Sequence, residues 1–192
     1  AAWQERAGQH CEHLHRATVQ QGQVDLQHVQ ADEMWVKRVS RKLWLALALA
    51  VPSRLWLGGE ISATRDHELI RDLVERVRRC ARSRGILVCV DGLASYVTAF
   101  CRAFKETRHT GQQGGQPKRL PERFLLGQVV KSRYRPPSGQ SQGKRRGLEV
   151  AQRAVVGTTA QIIARLQATG GGAVMLHEGE PATVRAEVIG GT

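Results

Sequence analysis

"ILVCVDG", residues 86–92, is a run of five apolar side chains closed by an acid and a glycine. A strand with one wet face alternates apolar and polar residues, so an unbroken apolar run predicts a strand covered on both faces. Such a strand is central in an α/β sheet. Asp91 then stands at its carboxyl end, where functional groups gather beside helix N-termini. "VQADEMWVK", residues 29–37, raises a matching question, because Asp32 interrupts a run that otherwise favours a pleated, half-buried surface. A buried carboxylate has to be paired or to bind a metal. Adjacent strand residues point to opposite faces, which sets Glu33 on the other side from Asp32 as a surface or paired acid.

Outward from these stretches the pattern predicts a mixed α/β domain. Residues 29–39, 42–52 and 54–62 read as three strands, with "VPSR" as a short turn between the last two, an antiparallel meander. In "TRDHELIRDLVERVRRCARSRG", Leu69, Ile70, Leu73, Val74, Val77, Cys80 and Ala81 recur at helical spacing. Thr64 is the expected N-cap, Asp66 suits the first turn and Gly85 is the expected stop. After Gly92, "LASYVTAFCRAF" lines Leu93, Tyr96, Val97, Phe100, Cys101 and Phe104 along one helical face. Residues 105–123 and 135–147 read as basic, Gly- and Pro-containing loops around a strand at 124–134. "LEVAQRAVVG" reads as a strand, and "TTAQIIARLQATGGG" as a capped helix with Ile162, Ile163 and Leu166 apolar.

This order divides the chain into a helical lead-in (1–28), an α/β core (29–104), a basic connecting region (105–153) and a C-terminal helical part (154–192). No apolar run reaches the length of a membrane span and no signal-peptide pattern opens the chain, so the expected location is cytoplasmic. The chain begins without Met, and the reading is that a DNA-binding region precedes residue 1. Cys80, Cys89 and Cys101 fall in apolar segments and Cys11 lies apart; without a CxxC they read as reduced thiols.

The net charge of +12 is concentrated. Residues 1–100 carry 14 Lys/Arg against 11 Asp/Glu, whereas 101–153 carry 13 against 3. A focused basic block suits a polyanion, most often nucleic acid; the bland reading is a solvated loop without a partner. Lys118, Arg119, Lys131, Arg133, Arg135, Lys144, Arg145 and Arg146 are the candidates for DNA-backbone contact. "HCEHLH" (10–15) lacks the second ligand pair of a structural zinc site and reads as an ordinary polar helix. Trp35, Trp44 and Trp56 fall in strands and read as core residues.

Two acids on neighbouring strands suit Mg²⁺, a hard ion that accepts carboxylates and keeps several waters. The bland reading of Asp91 is a cap for the helix beginning at Leu93. "QADEMWVK", "WLALALAVPSRLWLGGEIS", "RDHELI" and "ILVCVDGLASYVTAF", in this order, resemble the DDE transposases of bacterial insertion sequences over about residues 10–170. That resemblance implies a ribonuclease H-like mixed sheet, an antiparallel three-strand meander plus parallel strands, flanked by helices. It implies Asp32 and Asp91 as the first two catalytic acids. Aligning Ala182-Thr183-Val184-Arg185-Ala186 with the family pattern sets Glu178 at the third, although Gly179-Glu180-Pro181 replaces the usual Arg-(Leu/Phe)-Asn.

The implied activity is metal-dependent DNA cleavage and strand transfer, with two Mg²⁺ or Mn²⁺ ions held by Asp32, Asp91 and Glu178. The implied partners are element-end and target DNA, bound by a homo-oligomer. Two alternatives stand beside it: a catalytically inactive transposase remnant that retains DNA binding, and a nuclease of another nucleic-acid process on the same fold.

Overall fold

The computed structural model describes residues 2–38, 41–107, 117–134 and 147–170. Three consecutive strands, β1 (His28–Arg38), β2 (Arg41–Ala50) and β3 (Leu55–Ser62), form the expected antiparallel meander. Helix α2 (His67–Cys80) returns the chain to β4 (Leu87–Asp91), which pairs parallel with β1. Helix α3 (Ala94–Ala103) leads, past a small antiparallel pair β5 (Glu106–Thr107) and β6 (Lys118–Arg119), to β7 (Leu125–Tyr134). Strand β7 is parallel to β4, and β8 (Gly147–Val156) is antiparallel to β7. The result is a six-stranded mixed sheet in the order β3-β2-β1-β4-β7-β8, flanked by helices.

The unbroken run of β4 is covered on both faces, as its composition requires. Val88 and Val90 join the cluster formed with α2 and α3. Leu87, with Cys89 packed beside it, joins Leu125 and Ile162, the latter on helix α4 (Thr159–Ala168). Alternation along one strand thus assigns α2 and α3 to one face and α4 to the other. Helix α2 buries Leu69, Ile70, Leu73, Val74, Val77 and Cys80, each of the large aliphatic ones contributing roughly 1.5–3 kcal/mol by leaving water. Tyr96, Phe100, Phe104 and Phe124 stack in sequence, with centroid separations of 6.4, 5.9 and 5.5 Å, and tie α3 to the start of β7.

Local chemistry shifts some boundaries. Asp66, not Thr64, caps α2: its carboxylate accepts from Leu69 N at 3.0 Å, while the Thr64 hydroxyl bonds to Asp66 in turn. The helix stops at Cys80 rather than running to Gly85, because Ala81 turns extended and bridges Val24. Thr158 and Gln161 form a reciprocal capping box on α4. The preceding Gly157 has φ +86°, and a Cβ there would overlap the Leu125 side chain, so only glycine fits this turn.

Two of the three strand tryptophans are not core residues. Trp35 is 56% and Trp56 50% exposed, while Trp44 packs against the core from its edge. Helix α1 (Ala2–Thr18) buries none of its residues and touches the sheet through His15, whose ring lies 4.9 Å from that of Trp56. Among the described residues no helix is long and apolar enough to cross a membrane.

Candidate functional site

The last ladder pair between β1 and β4 is Ala31↔Val90. Asp32 and Asp91 are each the next residue, so they lie side by side. Both point to the face opposite Ala31 and Val90, whose side chains are buried. Here the parallel pairing ends, and the sheet opens into a cleft of ≈ 630 Å³ lined by Asp32, Arg65, Asp91, Gly92, Leu93 and Lys131 among others. Gly92 lets the turn pass close to β7, since a Cβ there would sit 3.3 Å from Val130.

Asp91 is anchored twice. One carboxylate oxygen accepts from Leu93 N at 2.9 Å, pinning the turn ahead of α3. The N-cap position itself is Leu93, which makes no side-chain cap, so Asp91 is not the helix cap in the usual sense. The other oxygen lies 3.3 Å from the Arg65 guanidinium. Arg65 comes from the loop before α2 and also pairs with Glu33.

Glu33 is the paired acid that alternation leads one to expect, held by Arg65, and it has a further neighbourhood. It does start from the face opposite Asp32, but its carboxylate reaches back over the open strand end. Oxygens of Asp32, Glu33 and Asp91 all lie within 4.8 Å of one another. The Glu33 side chain is only 1% exposed, and burial pushes its pKa up against the pull of Arg65. Its second oxygen and the Tyr96 hydroxyl are both buried and face one another, and this neighbouring phenol O–H also pulls the Glu33 pKa down against burial. Burial likewise raises the Tyr96 phenol, with the Glu33 charge adding to it, so the phenol is neutral. Cys89 also borders the cleft, but burial drives its thiol up to about 11, which removes it as a nucleophile at neutral pH.

A buried amide that sequence reading passed over supports the acid turn. Gln128 on β7 donates to Asp91 O at 3.0 Å and to Leu93 O at 3.4 Å, and accepts from Arg153 at 2.7 Å. Its signal was available: it is a polar residue in "FLLGQVV", the same kind of interruption that marked Asp32. Arg153 belongs by sequence to the basic block; it stays exposed, yet one of its guanidinium nitrogens is taken up by this bond.

The expected DNA contacts scatter. Lys131 borders the acid cleft, whereas Lys118 and Arg119 are exposed on β6. Arg133 falls within β7. Arg135, Lys144, Arg145, Arg146 and the expected third acid Glu178 lie outside the described residues. No protein-family model matches the chain, and no curated protein matches it.

The donor set fits a hard divalent cation. Carboxylate oxygens of Asp32, Glu33 and Asp91 gathered where the parallel pairing opens to solvent are the ligands Mg²⁺ and Mn²⁺ prefer. Arg65 neutralises part of this charge in their place.

Proposed function

We propose that the chain is the catalytic part of a DDE-type transposase with a ribonuclease H-like sheet, cutting and joining DNA phosphodiesters. One observation carries the reading: Asp91, at the carboxyl end of β4, and Asp32, within β1 where its parallel pairing with β4 stops, stand together on one face. A meander continued by parallel strands and flanked by helices is the architecture that the reading requires. Asp32 and Asp91 would hold the cations, with Glu178 as the third ligand in the family pattern. Bound ions supply an activated attacking oxygen and charge stabilisation at the leaving oxygen.

The chain's own residues do the rest. The Leu93 amide and the Gln128 side chain hold the Asp91 turn in place. Lys131, at the rim, is placed to take a DNA phosphate, and Arg65 balances the carboxylates when no cation does so. Orientation of this kind matters because in-line displacement depends on positioning and charge neutralisation.

A second reading, a remnant that binds DNA without cutting it, is favoured by Arg65, whose guanidinium already serves Asp91 as well as Glu33. Strand cleavage of element-end duplex in Mg²⁺ or Mn²⁺ distinguishes them. Asp32→Asn and Asp91→Asn are each expected to lower cleavage by at least about a hundredfold with DNA binding intact, since each removes a ligand. Equal cleavage by all three proteins would sink the assignment, and DNA binding without any cleavage would leave the remnant.

A further inference from the structure

The outer half of the β1–β2 pair leaves the sheet. Strand β4 accompanies β1 only from His28 to Ala31, and β3 accompanies β2 only as far as Trp44. Beyond these limits the described pairs Val36↔Leu43, Lys37↔Lys42 and Arg38↔Arg41 form a two-stranded ribbon, with no third strand beside it among the described residues. Four of the six residues 37–42 are Lys or Arg, and the chain has no acid between Glu33 and Glu60.

At the base of this ribbon, where Ser62 of β3 still pairs with Trp44, Trp35 stands opposite Trp44 on one face. The Lys42 ammonium lies 4.8 Å from the Trp35 ring centroid and 4.4 Å from that of Trp44. Arg65 lies 5.2 Å from the Trp44 ring and reaches Asp91 with the same guanidinium. The contacts therefore run unbroken from Trp35 through Lys42, Trp44 and Arg65 to the acid cleft. A tryptophan that is 56% exposed is not placed by core packing, and the cations around it select for negative charge.

We propose that this ribbon is a binding platform for an unpaired nucleic-acid strand, with a nucleobase stacked on Trp35 and the adjoining phosphates on Lys37 and Lys42. Only a single strand offers flat aromatic faces and a phosphate chain together; bases inside a duplex are already stacked on one another. The platform rests on the proposed function and adds to it a substrate form: DNA whose strands are separated next to the scissile phosphate.

The test is binding of the full chain to a short fluorescent oligothymidine, an abasic strand of equal length and a duplex, all in EDTA. The wild type is expected to prefer oligothymidine over the abasic strand by on the order of tenfold, the contribution of one base stacked on an aromatic side chain. Trp35→Ala should abolish that preference, and Trp35→Phe should keep most of it. Lys42→Ala should weaken both strands alike.

Several outcomes would overturn the platform: Trp35→Ala that still prefers bases, a wild type indifferent to them or bound only to duplex, or a Trp35-dependent dimer formed without DNA. Base preference without cleavage of element-end DNA would remove the transposase reading and leave the platform. Cleavage without base preference would do the reverse.

Discussion

The two halves of β1 have similar sequences and opposite fates. In the inner half, His28, Val29 and Ala31 are buried between β2 and β4. In the outer half, Met34, Trp35 and Val36 are exposed although they are larger and more apolar than Ala31. Strand propensity is alike in both, so propensity did not decide burial; the neighbours did. A β-strand is covered only where other strands flank it and helices lie over it, and β4 stops flanking β1 at Ala31. The acids sit at the crossing point between these regimes. There a carboxylate can rest on a rigid strand and still reach solvent.

The largest contrast should come from placing a new charge in each half. Val29→Asp buries an unpaired carboxylate and is expected to cost several kcal/mol, enough to leave little folded protein in a urea titration. Val36→Asp, on the exposed half, is expected to change the same titration by no more than about 0.5 kcal/mol. Equal effects at the two positions would mean that the outer half is covered.

A smaller effect is expected from the buried amide that links β7 to the acid turn. Gln128→Leu removes the bonds to Asp91 O and Leu93 O and strips Arg153 of its acceptor, at about 2 kcal/mol of stability. Mn²⁺ affinity measured on the folded fraction should fall too, because the Asp91 turn is no longer held. A stability loss with unchanged Mn²⁺ affinity would confine Gln128 to the fold.

The most gradual effect is a pH dependence. Lys37, outside, is exposed; His28, inside, is fully buried, and burial lowers its pKa from 6.5 to about 4. Since the folded value lies below the unfolded one, the unfolded chain takes up the proton first as pH falls. Its contribution to stability is full above pH 6.5 and is lost progressively between 6.5 and about 4. Urea midpoints should therefore decline across that window in the wild type, and His28→Leu should flatten this part of the decline. An unchanged profile in the variant would assign the acid sensitivity to other groups.

Much of the architecture was legible because its signals are local. The alternating strands of the meander, the helical stripe of α2 and the run at 86–90 each follow from spacing within one element. So did the two acids, each conspicuous as a charge in an apolar strand. Glu33 was legible as a paired acid on the face opposite Asp32, but its approach to the two aspartates was not, because alternation describes where a side chain leaves the backbone, not where a long one ends once the neighbouring strand stops. Trp35 and Trp56 were misread for a related reason: aromatic residues in strands are core only if something covers them. Arg65 carried no local sign at all. It reaches Glu33 and Asp91, 32 and 26 residues away in the chain, through folding alone.

The sequence by itself determined the order of strands and helices, the doubly covered strand and the acid at its end, since these depend on residues a few positions apart. Only the tertiary structure decided that β1 and β4 are neighbours with Asp32 and Asp91 on one face. It alone set Arg65 among three carboxylates and left Trp35 on an open basic ribbon. Those facts depend on which strands lie side by side and where each one ends, which no single stretch of chain encodes.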